Sequence, residues 1–132
     1  KKAGLAHAEL DALKKAYLKL YPSSPLKYIT NPFEINEFLI KFHNNFLFDC
    51  EVFVTLEPCS HVGKTPSCAN ILSILKPKKI YIGSYDKNVV ASGGIDILRK
   101  NGIKVEVGIN QKECEDLLYP FNKWINDKFV FF

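Results

Sequence analysis

The sequence predicts an α/β fold, a three-layer α/β/α sandwich built on a parallel sheet. Three observations carry this reading. Short apolar runs at residues 51–56, 79–83 and 103–107 have the length and composition of strands. Helical periodicities lie between them, which gives the order β-α-β-α-β. Strands joined through helices demand parallel pairing and right-handed crossovers, and strands covered on both faces are as uniformly apolar as these. At 132 residues, 47% hydrophobic and 24% charged, the whole chain, 1–132, is one domain large enough for a single core.

The elements follow in order. In the first helix, residues 6–20, Leu10, Leu13, Tyr17 and Leu20 recur at helical spacing while Lys14, Lys15 and Lys19 point outward. Pro22-Ser23-Ser24-Pro25 ends it. A second helix starts at Pro32 or Phe33, since proline is tolerated in a first turn, and runs to residue 45. Its stripe of Phe38, Leu39, Phe42 and Phe46 reads as core packing, and His43 within it has no partner that would make it a ligand. Residues 51–56 form a strand, a loop follows, and a helix runs over 68–75 until Lys76-Pro77 stops it. After the strand at 79–83, Ser92-Gly93-Gly94 precedes a helix over 95–101, with Gly102 as its C-terminal cap. A strand at 103–107 and a helix at 111–127 complete the domain, and Phe129-Val130-Phe131-Phe132 is a strand-like tail leading onward.

No apolar run approaches the roughly 18 residues of a membrane span, and nothing resembles a signal peptide. A cytoplasmic setting follows, with reduced thiols at Cys50, Cys59, Cys68 and Cys114. Cys50 and Cys114 lack His or Cys neighbours at useful spacing and read as ordinary buried thiols. The net charge of +4 suits an anionic small substrate at least as well as nucleic acid, and equally a solvated surface. The chain holds no methionine and opens on Lys1, so it reads as a piece of a longer polypeptide.

The chemistry concentrates in Thr55-Leu56-Glu57-Pro58-Cys59-Ser60-His61-Val62-Gly63-Lys64-Thr65-Pro66-Ser67-Cys68, where two cysteines stand nine positions apart after a strand and before a helix. Upstream lies His7-Ala8-Glu9. One His and two Cys can hold zinc and leave its fourth position open, the feature that separates catalytic from structural sites. H-x-E followed by P-C and a second Cys is the zinc-deaminase signature, with the Glu as proton shuttle and not as ligand. Bound zinc makes hydroxide available near neutral pH. Glu9 can take the proton released and pass it to a departing amine. His-x-Glu alone is a weak signal; the Pro-Cys loop is much stronger.

Two other readings of the same residues stay open. A structural zinc module would draw a fourth ligand from Cys50 or His61. A tRNA-adenosine deaminase would need a basic face with stacking aromatics, whereas the lysines here are scattered.

These residues resemble the deaminase domain of the bifunctional riboflavin-biosynthesis deaminase/reductase, within the cytidine-deaminase-like superfamily. The likeness covers Gly4-Leu5-Ala6-His7-Ala8-Glu9 and then residues from about 52 to 132. Residues 55–68 follow T-L-E-P-C-S-H-x-G-K-T-P-P-C and depart from it at Ser67. The resemblance implies a zinc ion on His7, Cys59 and Cys68, and proton transfer by Glu9. It implies substrate contacts from His61, Lys64, Asp86 and Asn88; the other readings are a solvated loop lysine for Lys64 and a turn pair for Asp86 and Asn88. The implied reaction removes the 2-amino group of 2,5-diamino-6-(5-phosphoribosylamino)pyrimidin-4(3H)-one. The implied partners are that small molecule and other copies of the chain, with no nucleic acid and no membrane. Four departures accompany the resemblance. The family's first hairpin is missing, and residues 21–45 look like a helical insertion between His7 and Cys59. Asp86-Lys87-Asn88-Val89 lacks both family prolines. A reductase domain, the only part that would use NADPH, would follow residue 132.

Overall fold

The thirteen residues Ala8–Leu20 form α1 in the computed structural model, which describes residues 7–63, 65–84, 93–108 and 129–131. Leu10, Leu13 and Tyr17 are its buried stripe. His7 has extended backbone and is the N-cap, so it stands just before the helix and not within its first turn. Ser24 then caps a short 3₁₀ turn, Pro25–Tyr28, which buries Leu26. Helix α2, Pro32–Phe42, is capped by Asn31, whose side-chain oxygen accepts the Phe33 and Glu34 N–H groups. This helix stops short of the expected residue 45. Asn44 and Asn45 sit at φ 50° and 55°, the left-handed region that asparagine tolerates better than most residues. Phe46 is therefore outside the helix, yet it still packs edge-on against Tyr17, with ring centroids 5.5 Å apart.

Four strands follow: β1 (Glu51–Leu56), β2 (Lys79–Ser84), β3 (Lys104–Val107) and β4 (Phe129–Phe131). Helix α3, Cys68–Leu75, joins β1 to β2, and α4, Gly94–Lys100, lies between β2 and β3. Lys76, at φ 50°, and Pro77 end α3. The strands run in the order β3-β2-β1-β4 and every pairing is parallel. Val52 stands opposite Ile80, and Ile80 opposite Val105. The tail beginning at Phe129 is thus a sheet strand beside β1, with Glu51 opposite Phe129.

Val52, Val54, Ile80 and Ile82 point from the sheet into one core, shared with Leu10, Leu13, Ile35, Leu39, Ile71, Leu72 and Leu98. Residues 21–45 are integral to it, because Leu26 and Leu39 are both fully buried there. The opposite sheet face carries Phe53 stacked on Tyr81 at 4.4 Å and the Lys79–Glu106 ion pair at 2.8 Å. A second helical layer over that face is not among the described residues. No described helix is long and apolar enough to cross a membrane.

The strand order reverses at β1: β2 and β3 lie on one side and β4 on the other. In open parallel sheets, ligands bind beyond the C-terminal ends of the strands at such a reversal. The chain that leaves β1 there is Glu57-Pro58-Cys59.

Candidate metal centre

The Pro/Gly/hydroxyl-rich composition of residues 57–67 gives a closed loop and not a further element. Ser67 does much of the closing. Its hydroxyl caps α3 by accepting the Asn70 N–H at 3.1 Å, and it donates to the Cys59 carbonyl at 2.9 Å. The Ala69 N–H reaches the same carbonyl at 3.0 Å. Cys59 is thereby fastened against the first turn of α3, where Cys68 is the first helical residue.

His7 arrives from the other side, at the start of α1. Its Nδ1 lies 3.6 Å from Cys59 Sγ and 3.7 Å from Cys68 Sγ. A tetrahedral ion bonded to nitrogen at about 2.0–2.1 Å and to sulfur at about 2.3 Å has an N···S edge of about 3.6 Å. The two measured separations match that edge, and all three donor atoms lie within 4.8 Å of one another, so together they have the spacing of a metal site. Among the described residues the cluster has these three members. Neither Cys50 nor His61, the fourth ligands a structural site would draw on, joins it: the Cys50 thiol faces the Phe46 carbonyl at 3.7 Å, and His61 is exposed.

The electrostatics favour one thiolate in the metal-free site. The Cys68 thiol, hydrogen bonding to Cys59, draws the Cys59 thiol well below its ordinary range, and the Cys68 N–H at 3.3 Å and the His7 imidazole add to this. The same contact with Cys59 holds Cys68 high, together with burial and the nearby negative charge of Glu9. A backbone hydrogen bond from Leu10, in the first turn of α1, works the other way on Cys68. Each sulfur thus meets a backbone N–H from a helix start, the setting that stabilises thiolates. Glu9 is half-buried in the first turn of α1.

Three residues of this centre were not read from the sequence. Glu57, only 5% exposed, accepts the Gly93 and Ile95 N–H groups, each at 3.1 Å, through one carboxylate oxygen. It fastens the start of α4 to the residues preceding Cys59. Gly94 presses on the same place: a Cβ there would lie 1.9 Å from the Pro58 carbonyl oxygen, so no side chain fits. A carboxylate just before Pro-Cys, and a Gly-Gly pair opening a helix, were the available signals. Thr65 is a third such residue, its Oγ1 lying 2.9 Å from His7 Nε2. Of the residues expected to contact substrate, His61 is exposed with its ring near Gly63. Lys64, Asp86 and Asn88 lie outside the described residues, as does Cys114.

No family model matches the chain. It is 43% identical over 72 residues to the riboflavin biosynthesis protein RibD of Chlamydia pneumoniae, covering 54% of this chain and 19% of that protein. It is 38% identical over 117 residues to the chloroplastic riboflavin biosynthesis protein PYRD of Zea mays, covering 88% of this chain and 23% of that one. It is 44% identical over 64 residues to the diaminohydroxyphosphoribosylamino-pyrimidine deaminase of Buchnera aphidicola, covering 48% of this chain and 44% of that relative. Among solved structures, the diaminohydroxyphosphoribosylaminopyrimidine deaminase/5-amino-6-(5-phosphoribosylamino)uracil reductase of Thermotoga maritima aligns with a TM-score of 0.45 at 38% identity, over 47% of this chain and 18% of that one. The chain spans about a fifth of the length of the first curated relatives it matches. Over about half its own length, then, this chain is similar to proteins of riboflavin biosynthesis, a diaminohydroxyphosphoribosylamino-pyrimidine deaminase among them.

Proposed function

We propose that the chain is the deaminase portion of such a protein, holding zinc on His7, Cys59 and Cys68 and hydrolysing the 2-amino group of 2,5-diamino-6-(5-phosphoribosylamino)pyrimidin-4(3H)-one. The observation that carries this is the approach of His7 Nδ1 to both sulfurs, at 3.6 and 3.7 Å, with Glu9 in the first turn of the helix that His7 caps. An imidazole and two thiolates are a donor set that suits zinc. When bound, zinc supplies Lewis-acid activation of water at neutral pH.

The chain's own residues do the rest. Glu9, in the first turn of α1 and near enough to Cys68 for its charge to raise that thiol, would accept a proton from the attacking water and return it to the leaving amine. A C–O bond forms at the ring carbon that bore the amino group, the C–N bond breaks, and ammonia leaves. The positive ends of α1 and α3 converge on the cluster and favour the anionic groups gathered there. His61 and Lys64, on the same loop, stand for the polar and phosphate contacts of the substrate. Their roles, with those of Asp86 and Asn88, extend the same reading, as does assembly into a homo-oligomer.

The test is ammonia release from the diaminopyrimidine ribotide by the full-length protein and by its Glu9→Gln variant. The variant is expected to keep its metal and lose turnover by 10²–10⁴-fold, the range of general acid–base catalysis. Undiminished turnover in a metal-loaded Glu9→Gln protein would remove Glu9 from the chemistry.

A further inference from the structure

We infer that Thr65 is a positioning residue whose hydroxyl accepts the His7 Nε2–H and so keeps the lone pair of His7 Nδ1 aimed between Cys59 and Cys68. The inference deepens the metal-binding reading above and rests on it. A neutral imidazole carries one proton, and the nitrogen without it is the one able to ligate. Here the two nitrogens face different partners: Nδ1 faces the sulfurs at 3.6 and 3.7 Å, and Nε2 faces Thr65 Oγ1 at 2.9 Å. With the proton on Nε2, the imidazole donates to Thr65 and Nδ1 is free to bind. With the proton on Nδ1, an N–H points where the ion has to sit.

The threonine is itself held. It is 9% exposed, its carbonyl accepts the Gly63 N–H at 3.0 Å, and Pro66 follows it. A β-branched side chain is stiff about χ1, so the hydroxyl direction is set by the backbone of the loop. The loop between the two cysteines therefore does more than span them. It reaches the residue that precedes α1 and orients the third ligand, which the chain supplies from far upstream. Partners of this kind, bonded to the far nitrogen of a ligating histidine, are typically worth about 10–100-fold in metal affinity or activity.

The experiment is Co²⁺ titration of the full-length protein as wild type, Thr65→Val and Thr65→Ser, in competition with a chelator. Binding is followed by the visible absorption of tetrahedral thiolate-bound Co²⁺, and melting of each metal-free protein is measured in parallel. Thr65→Val keeps the shape of the side chain but removes the acceptor. It should weaken Co²⁺ binding by about 10–100-fold while its metal-free form melts like the wild type. Thr65→Ser, which restores an acceptor, should bind like the wild type. Wild-type affinity in Thr65→Val overturns the inference, as does a Thr65→Ser protein as weak as Thr65→Val. A Thr65→Val protein whose weaker binding is matched by a lower metal-free melting temperature also overturns it, because the residue is then structural. A wild type that takes up no Co²⁺ overturns both this inference and the metal-binding reading, whereas intact wild-type binding with no effect of Thr65→Val overturns this inference alone.

Discussion

Replacing Gly94 with alanine should damage the protein far more than the same change at Gly102, and the structure shows why. An alanine Cβ at position 94 would lie 1.9 Å from the Pro58 carbonyl oxygen, 3.0 Å from its carbon and 3.4 Å from Ala69 Cβ. Unstrained non-bonded contacts lie near about 3.5–4.0 Å, so the first of these is a deep overlap. Both sides are backbone, and no rotamer change relieves it. Helix α4 cannot simply back away, because Glu57 grips the N–H groups on either side of Gly94. Pro58 cannot easily turn its carbonyl aside, because the chain just beyond it is fastened where the Cys59 carbonyl accepts the Ser67 hydroxyl and the Ala69 N–H. Overpacking typically costs about 1–3 kcal/mol and occasionally more, and rigid walls put this case at about 3 kcal/mol. For a chain of this size, at about 4 °C per kcal/mol, that is a fall in Tm of about 12 °C. At Gly102 an added Cβ meets nothing within 4 Å, and the penalty is only that of holding φ at 82°. That penalty is about 1–2 kcal/mol, or about 4–8 °C. Thermal melts of the two full-length variants decide the matter. Co²⁺ titration below both transitions adds a second reading, since displacement of Pro58 moves Cys59 and Gly102 touches nothing at the centre. A Gly94→Ala protein that melts no lower than Gly102→Ala would refute the reasoning.

Two further outcomes follow from the same structure. Leu39→Ala, a truncation of a fully buried side chain in α2, should cost about 2–5 kcal/mol in a denaturant titration; an unchanged midpoint would make residues 21–45 a peripheral appendage. The Cys68 thiol is held above its ordinary value by Cys59, by burial and by Glu9, so the metal-free site keeps a proton at neutral pH that an incoming ion must displace. Co²⁺ affinity should therefore tighten as pH rises, by about tenfold per unit while one proton is displaced, and loosen equally as pH falls; a flat profile between about pH 6.5 and about 8.5 would show that no proton is released.

How much of this was legible in the chain depended on whether a residue's role is local. Strands β1 and β2 could be read because alternating burial of Val52, Val54, Ile80 and Ile82 follows from short apolar runs. The trio His7, Cys59 and Cys68 could be singled out because metal chemistry is written in residue type. Glu57, Gly94 and Thr65 could not. Each is defined by a partner distant in sequence: the N–H groups of α4 for Glu57, the Pro58 carbonyl for Gly94, the far nitrogen of His7 for Thr65. The end of α2 was misjudged for a different reason. A helical stripe continues through Phe46, but the stripe describes burial and not backbone, and the left-handed pair Asn44-Asn45 breaks the helix while Phe46 stays packed.

The tail strand shows the limit most clearly, and it changes how the site is understood. An apolar run at 129–132 says strand, but nothing local says which neighbour it takes. Its place beside β1 makes the C-terminal end of β1 the point where the strand order turns, and that is where the chain puts Glu57-Pro58-Cys59. The same strand also lies against α1, the helix that begins immediately after His7. One short pairing thus braces both elements that lead to the candidate metal centre, against the helix that follows the imidazole and beside the strand that precedes the first thiol. What reads along the chain as an exit is, in three dimensions, a strand paired with β1 and packed against α1.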